Sequence, residues 1–272
     1  MQQLYYPGLE VAQGNWLRLH RNENLFIDQK WLAEIAKSVA AHLCISHYPD
    51  STSNQLRQSL GKQYNVDPDQ IFIGNGSDEI LAILLHYLRS EFDEAAISPT
   101  SYRVYPYLLQ RYGYRIFNLE SRVNDRLCLI DSPNAMTGER YPIEDIEAPF
   151  VIWDNVYGEF ANDRLDLITL NSSRVIIRSF SKFYGLANLR IGYCFADKSL
   201  VQEMMKRKDI FNINGFAQEM ALRVLEHKEY FDSLVPLIAK ARHRLTEGLT
   251  ALGFSLSHSE TNCVWITHPA IS

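Results

Sequence analysis

Short, unbroken apolar runs alternate with stretches of helical periodicity along most of this chain. Residues 28–43 place Trp31, Ile35, Val39 and Leu43 four apart, and residues 52–64 repeat the spacing with Leu56, Leu60 and Tyr64; both predict amphipathic helices. Ile71-Phe72-Ile73 runs into Gly74-Asn75-Gly76 and then a helix rich in Ile and Leu through Leu88. Further apolar runs follow at residues 95–97, 127–130, 150–153, 175–177 and 191–195. A strand with one wet face alternates apolar and polar residues. These runs are continuous, so they predict strands covered on both faces. Helices between such strands predict an α/β sheet with crossover connections. Two long helical patterns, at 216–226 and 230–252, precede a last strand-like segment at 263–266. No repeat or low-complexity linker breaks the order.

A chain of 272 residues suffices for one large domain or two small ones with a real core. At 46% apolar and 22% charged residues, wholesale disorder is excluded. Lys and Arg number 27 against 32 Asp and Glu, a formal net charge of −5. That balance argues against a nucleic-acid partner, which needs a basic footprint, but leaves room for a local cationic pocket. No apolar run approaches bilayer length. The opening MQQLYYPGLEVAQGNW lacks the basic and apolar regions of a signal peptide. A cytoplasmic protein without a membrane partner is expected. Cys44, Cys128, Cys194 and Cys263 are scattered, with no CxxC pair and no histidines at zinc spacing. Free thiols and no metal site are expected.

An α/β sheet binds ligands beyond the carboxyl ends of its strands, so the residues after each run matter most. Val175-Ile176-Ile177 leads into Arg178-Ser179-Phe180-Ser181-Lys182-Phe183-Tyr184-Gly185-Leu186-Ala187-Asn188-Leu189-Arg190-Ile191-Gly192. A lone lysine after a strand is usually a solvated charge. Here it has small hydroxyl neighbours, then Gly-Leu-Ala, then an arginine eight residues on. Position for position, this stretch resembles the lysine signature of the class I and II pyridoxal-phosphate aminotransferases. The resemblance spans roughly residues 18–267 and is greatest to the histidinol-phosphate aminotransferase branch and its relative, threonine-phosphate decarboxylase. It implies pyridoxal 5'-phosphate as cofactor, held by Lys182 as a Schiff base. Such a lysine must release its proton readily, which a cationic or desolvated neighbourhood favours. Arg190 would bind the phosphate through its planar fork; outside the motif it would read as a surface ion-pair partner.

The other parts follow along the chain. Val151-Ile152-Trp153-Asp154-Asn155-Val156-Tyr157 ends a strand on an acid. The resemblance implies that Asp154 holds the pyridine nitrogen and keeps the ring an electron sink, and that Tyr157 reaches the phenolic oxygen. Alone, Asp154 would read as a turn residue. Gly74-Asn75-Gly76-Ser77-Asp78-Glu79 opens a helix, whose first amides form an anion site. The resemblance makes Gly76, Ser77 and Asp78 phosphate ligands, joined by Ser179 and Ser181; in isolation Ser77 or Asp78 would only cap the helix. In Ser98-Pro99-Thr100-Ser101-Tyr102, Tyr102 is the implied stacking partner of the ring, with Tyr105 its rival. In His47-Tyr48-Pro49-Asp50, the implied role of Tyr48 is to reach the phosphate in a neighbouring subunit, which makes the protein a homodimer with a shared site. Asn22-Glu23-Asn24 resembles the opening of the histidinol-phosphate branch, with Leu25 where a proline is usual.

Two departures stand out. In Ser132-Pro133-Asn134-Ala135-Met136-Thr137-Gly138 the family's second Asn, a donor to the phenolic oxygen, is Ala135. One lost hydrogen bond costs about 0.5–1.5 kcal/mol, so slower chemistry and not lost binding is expected, with Asn134 the candidate replacement. The second is at the end of the chain, where residues 261–266 resemble the first strand of the family's C-terminal small domain. The arginine that clamps the substrate carboxylate in the family is not expected within these residues; Arg18, Arg21 or an arginine of a partner subunit are candidates to supply it. The expected fold is thus a fold-type I, three-layer αβα large domain with a mixed, mostly parallel sheet, plus a truncated small α+β domain. Residues 1–27 form an N-terminal arm belonging to the small domain, 28–212 the large cofactor-binding domain and 213–272 an incomplete C-terminal small domain. The expected reaction moves an amino group between a small amino compound and a 2-oxo acid, with Lys182, Asp154 and Tyr157 catalytic. A decarboxylase or lyase acting on an unusual amino acid is the alternative that keeps the cofactor; a degenerate binding or regulatory scaffold is the one that does not.

Overall fold

The continuous apolar runs form strands, and their full burial dictates where the helices lie. A computed structural model describes residues 19–120, 123–161 and 170–270. Its strands are β1 (Ile71–Gly74), β2 (Glu94–Ile97), β3 (Arg115–Asn118), β4 (Leu127–Asp131), β5 (Phe150–Asp154), β6 (Arg174–Ser179) and β7 (Gly192–Phe195). They make one sheet in the order β1-β7-β6-β5-β4-β2-β3. Strand β7 is antiparallel to both β1 and β6, while β6, β5, β4, β2 and β3 are mutually parallel. Six strands therefore point one way, and β7 begins at the edge where the others end. Every residue of β4 and β5 is buried, as a sheet covered on both faces requires.

The helices are α1 (Gln29–His42), α2 (Asn54–Tyr64), α3 (Gly76–Leu88), α4 (Val104–Arg111), α5 (Lys198–Met205), α6 (Gly215–Glu226) and α7 (Lys228–Ala251). Helix α3 lies across β1, β7 and β6, burying Ile80, Leu81, Leu84, Leu85 and Leu88. Helix α6 packs on α1 and α2, and the core continues without interruption from the sheet to Phe231 and Ile238. Side-chain caps start several helices: Asp28 accepts from Lys30 N and Trp31 N, Asp197 from Ser199 N and Asn214 from Ala217 N. Helix α3, like α2, α4 and α7, has no side-chain cap from its N-cap residue; there Glu79 accepts from Asn75 N at 2.6 Å. Inside β6 the buried Arg178 pairs with Glu159 at 2.5 Å, and Glu159 also accepts from Tyr193 Oη. That pairing is what allows a charge within a core strand.

Three elements escape a reading by apolar periodicity. Helix α4 carries Pro106 in its first turn, where the missing amide has no intrahelical partner anyway. Strand β3 is an edge strand whose end residues, Arg115 and Asn118, are exposed, so it has no continuous apolar run. Helix α5 is only eight residues long. The strand expected at 263–266 shrinks to β9 (Ile266–Thr267), which pairs with β8 (Ser255–Leu256). Side chains claim the backbone groups that a longer ladder needs: Ser259 Oγ donates to Cys263 O, and Thr261 Oγ1 accepts from Cys263 N.

Ile152 occupies the middle of β5 and is fully buried. Ile152→Ala should lower unfolding free energy by about 2–5 kcal/mol, measured by urea titration; an unchanged midpoint would place β5 outside the core.

Candidate active site

The parallel strands deliver their carboxyl ends, and β7 its amino end, to one edge. The register sets Gly192 opposite both Gly74 and Ser179 and Asp131 opposite Asp154. Gly192 must be small: a Cβ there would lie 2.8 Å from Ser77 N. The chain entering β7 therefore runs against the first turn of α3. Arg190, two residues earlier, has φ 52°, a left-handed conformation uncommon outside glycine. Its guanidinium turns onto Gly76, where a Cβ would meet Nη2 at 2.5 Å. Nη2 donates to Asp78 Oδ2 at 3.1 Å and Nη1 to Ala187 O at 3.2 Å. The other oxygen of Asp78 is buried without a partner. Ser179 Oγ and Ser181 lie at the same strand end, joined by Ser181 N donating to Ser179 Oγ at 3.0 Å. An uncapped helix N-terminus faced by a guanidinium is a site for a small dianion.

Lys182 follows this edge. Its Nζ donates to Arg21 O at 2.5 Å and stands 5.6 Å from the centre of the Tyr157 ring. Burial pulls its ammonium below the ordinary lysine range, although Cys263 and Glu23 nearby oppose this. Tyr157 is buried, which pushes its phenol well up, and its oxygen accepts from Asn22 Nδ2 at 3.1 Å. Asp154 ends β5, accepting from Tyr105 Oη at 2.7 Å and Val156 N at 3.2 Å. Burial raises its carboxyl to about 7. Asp131 ends β4 beside it, with Oδ2 accepting from Ala135 N at 2.8 Å and Tyr102 N at 3.2 Å. Its Oδ1 is buried without a partner, and burial raises this carboxyl to about 6.

Gly76, Ser77, Asp78, Ser179, Ser181, Lys182 and Arg190 thus converge on one edge with Asp154 and Tyr157. Of the two tyrosines in rivalry, Tyr105 is fully buried with its hydroxyl on Asp154. Tyr102 is half-buried, edge-on to the Tyr105 ring at 5.6 Å. Asn134, expected as a cofactor contact, closes the turn after β4 with one end of its amide. Its Oδ1 accepts from Met136 N at 3.0 Å and Thr137 N at 2.8 Å, and the side chain is fully buried. It builds the turn through Oδ1, while its Nδ2 is buried without a hydrogen-bond partner. Tyr48 stands apart from the cluster, 83% exposed and stacked on Phe211 at 4.7 Å. Arg18 lies outside the described residues. Asn22 is marked in the sequence only by the Asn-Glu-Asn opening, which names no contact with Tyr157, and Asp131 only by closing its strand just as Asp154 closes the next.

The model of the aminotransferases of class I and II matches residues 14–271. The chain belongs to this family. It is 31% identical to histidinol-phosphate aminotransferase of Microcystis aeruginosa, an alignment covering 98% of this chain and 82% of that one. A histidinol-phosphate aminotransferase of Thiobacillus denitrificans is also 31% identical, with 98% and 80% covered. Among solved structures, histidinol-phosphate aminotransferase of Sinorhizobium meliloti in complex with pyridoxal 5'-phosphate superposes with a TM-score of 0.81 at 24% identity, covering 89% of this chain and 73% of that one. L-threonine-O-3-phosphate decarboxylase of Porphyromonas gingivalis gives 0.76 at 23%, covering 86% and 77%. The chain is a fold-type I, pyridoxal-phosphate-dependent aminotransferase. Its residues suit that cofactor: the uncapped α3 terminus with Arg190 suits the phosphate, the buried acid Asp154 suits a protonated ring nitrogen, and Lys182 has a readily released proton. Among the described residues no group of His, Cys, Asp or Glu could hold a metal, and no helix is long and apolar enough to cross a membrane.

The raised carboxyl of Asp131 makes stability depend on pH. An unfolded Asp loses its proton near 3.8 and the folded one near 6, so stability present below pH 4 is lost as pH rises through 6, by at most roughly 3 kcal/mol. In the cofactor-free protein, Asp131→Asn should therefore gain melting temperature relative to wild type between pH 5 and pH 8. A difference that stays constant with pH would contradict the burial of a charged Asp131.

Proposed function

We propose that this aminotransferase acts on histidinol phosphate or a close phosphorylated amine, with a 2-oxo acid as the second substrate, in a site shared by two copies of the chain. The observation that carries the reading is the position of Lys182, a desolvated amine between the Arg21 carbonyl and the Tyr157 ring, beside a cup suited to phosphate. Identity of 31% across nearly the whole chain to histidinol-phosphate aminotransferases supports the substrate. The decarboxylase alternative has support from likeness of fold only.

Gly76, Ser77, Asp78, Ser179, Ser181 and Arg190 would hold the cofactor phosphate. Asp154 would face the ring nitrogen, Tyr157 the phenolic oxygen and Tyr102 the ring face. When bound, pyridoxal phosphate supplies an aldehyde that condenses with amines and a ring that withdraws electrons from the amine-bearing carbon. Lys182 gives up its proton easily and, once free, takes and returns a proton at that carbon. Asp154, sheltered from water and braced by Tyr105, keeps a proton at the ring-nitrogen end. Tyr157 donates from its hydroxyl toward the opposite side. Arg21, exposed beside the lysine, is the described candidate for binding a substrate carboxylate.

The dimer reading draws on an apolar surface. Tyr48 is more than four-fifths exposed and stacks on the exposed Phe211, and Ile45 and Ile210, close to them in sequence, are exposed as well. A second copy covering this patch would bring Tyr48 toward its partner's phosphate cup. Four free thiols accord with a reducing cytoplasm.

Pyridoxal phosphate added to the purified protein should produce a visible band that is absent in Lys182→Ala. Histidinol phosphate should bleach it and a 2-oxo acid restore it. A band indifferent to histidinol phosphate would refute the substrate, and no band would refute the role of Lys182. Sedimentation at working concentration should report a dimer; a monomer would refute the shared site and the role of Tyr48.

A further inference from the structure

We infer that Asn22 is a positioning residue for Tyr157, fixing its hydroxyl as a hydrogen-bond donor directed into the site; the inference rests on the reading of the site given above. Asn22 Nδ2 lies 3.1 Å from Tyr157 Oη and 3.2 Å from Ala135 O. A backbone carbonyl can only accept, so the contact with Ala135 settles which end of the amide faces it. The two hydrogens of that nitrogen are then both spent, one on the carbonyl and one on the phenol oxygen. Tyr157 accepts from Asn22 and keeps its own hydrogen to donate elsewhere. Donation into the phenol oxygen also favours its ionised form and opposes the effect of burial.

Asn22 is itself held. It has φ 49°, a left-handed conformation that Asn tolerates better than most residues. Its carbonyl accepts from Asn262 Nδ2 at 3.0 Å. On one side the Arg21 carbonyl accepts from Lys182, and on the other Asn24 Nδ2 donates to Phe183 O at 3.0 Å. Residues 21–24 thus form a strap beside the lysine, and Asn22 sets its side chain on Tyr157. Position 135 has no side-chain donor of its own. Asn22 grips the backbone there and brings an amide to the tyrosine from a distant part of the sequence.

The test uses Asn22→Gly, which deletes the amide while keeping the left-handed backbone unstrained. In the holoenzyme, the midpoint of the pH titration of the visible band should move, and pyridoxal phosphate should bind about tenfold more weakly. Ala135→Asn, added to Asn22→Gly, should return the midpoint toward wild type by supplying an amide from the other side. Tyr157→Phe should produce a similar change, and Asn22→Gly should add nothing further to it. If Asn22→Gly shifts the titration equally in the Tyr157→Phe background, Asn22 acts through the strap and not through the hydroxyl, and the inference falls. It falls too if Asn22→Gly leaves both midpoint and affinity unchanged in an enzyme that shows a normal band. A wild-type protein with no band would overturn the reading of the site, and the inference with it.

Discussion

The approach of Gly192 to the first turn of α3 is the contact on which the site depends. Six strands end at one edge of the sheet, and a site built only from their ends would have a helix terminus but no arginine across from it. The antiparallel β7 changes this by beginning at the same edge, wedged between β1 and β6. Only glycine lets its backbone pass the Ser77 amide. The segment from β6 to β7 must then turn back along the edge, and it carries both Lys182 and Arg190. Arg190 adopts a left-handed backbone to bring its guanidinium onto Gly76. One connection thereby supplies the amine and the cation that faces the helix terminus.

Electrostatics divides the site into ends of opposite preference. At α3, first-turn amides that the Asn75 side chain does not cap and a guanidinium favour an anion. At the ends of β4 and β5, two neighbouring carboxyls are buried with few partners, so each holds its proton more tightly than an exposed Asp. Those acids favour a protonated, cationic ring atom. Lys182 stands between the two ends and is desolvated. The polarity of the site follows from the sheet, because parallel strands put the acids at their carboxyl ends and the same edge opens α3.

Much of this was legible in the sequence. Strands β4 to β7 are continuous apolar runs because they are covered on both faces, and that pattern survives without knowledge of their neighbours. The edge strand β3 and the proline-bearing α4 lack the pattern for equally local reasons. Lys182, Arg190, Asp154 and Gly76 sit in compact motifs whose members are close in sequence, so spacing revealed them. Asn22 and Asp131 act on partners far along the chain or across a strand register; the Asn-Glu-Asn opening marks Asn22 but does not encode its partner. Asn134 closes its own turn through Oδ1 and leaves Nδ2 buried and unpartnered, a division of the amide that spacing does not encode.

The most direct measurement compares the affinities of pyridoxal phosphate and unphosphorylated pyridoxal in wild type and in Arg190→Ala. Wild type should prefer the phosphorylated form, and the substitution should remove roughly ten- to hundredfold of that preference while leaving pyridoxal binding nearly unchanged. An unchanged preference in Arg190→Ala would mean that the phosphate is held elsewhere and that the contact between β7 and α3 does not organise the site.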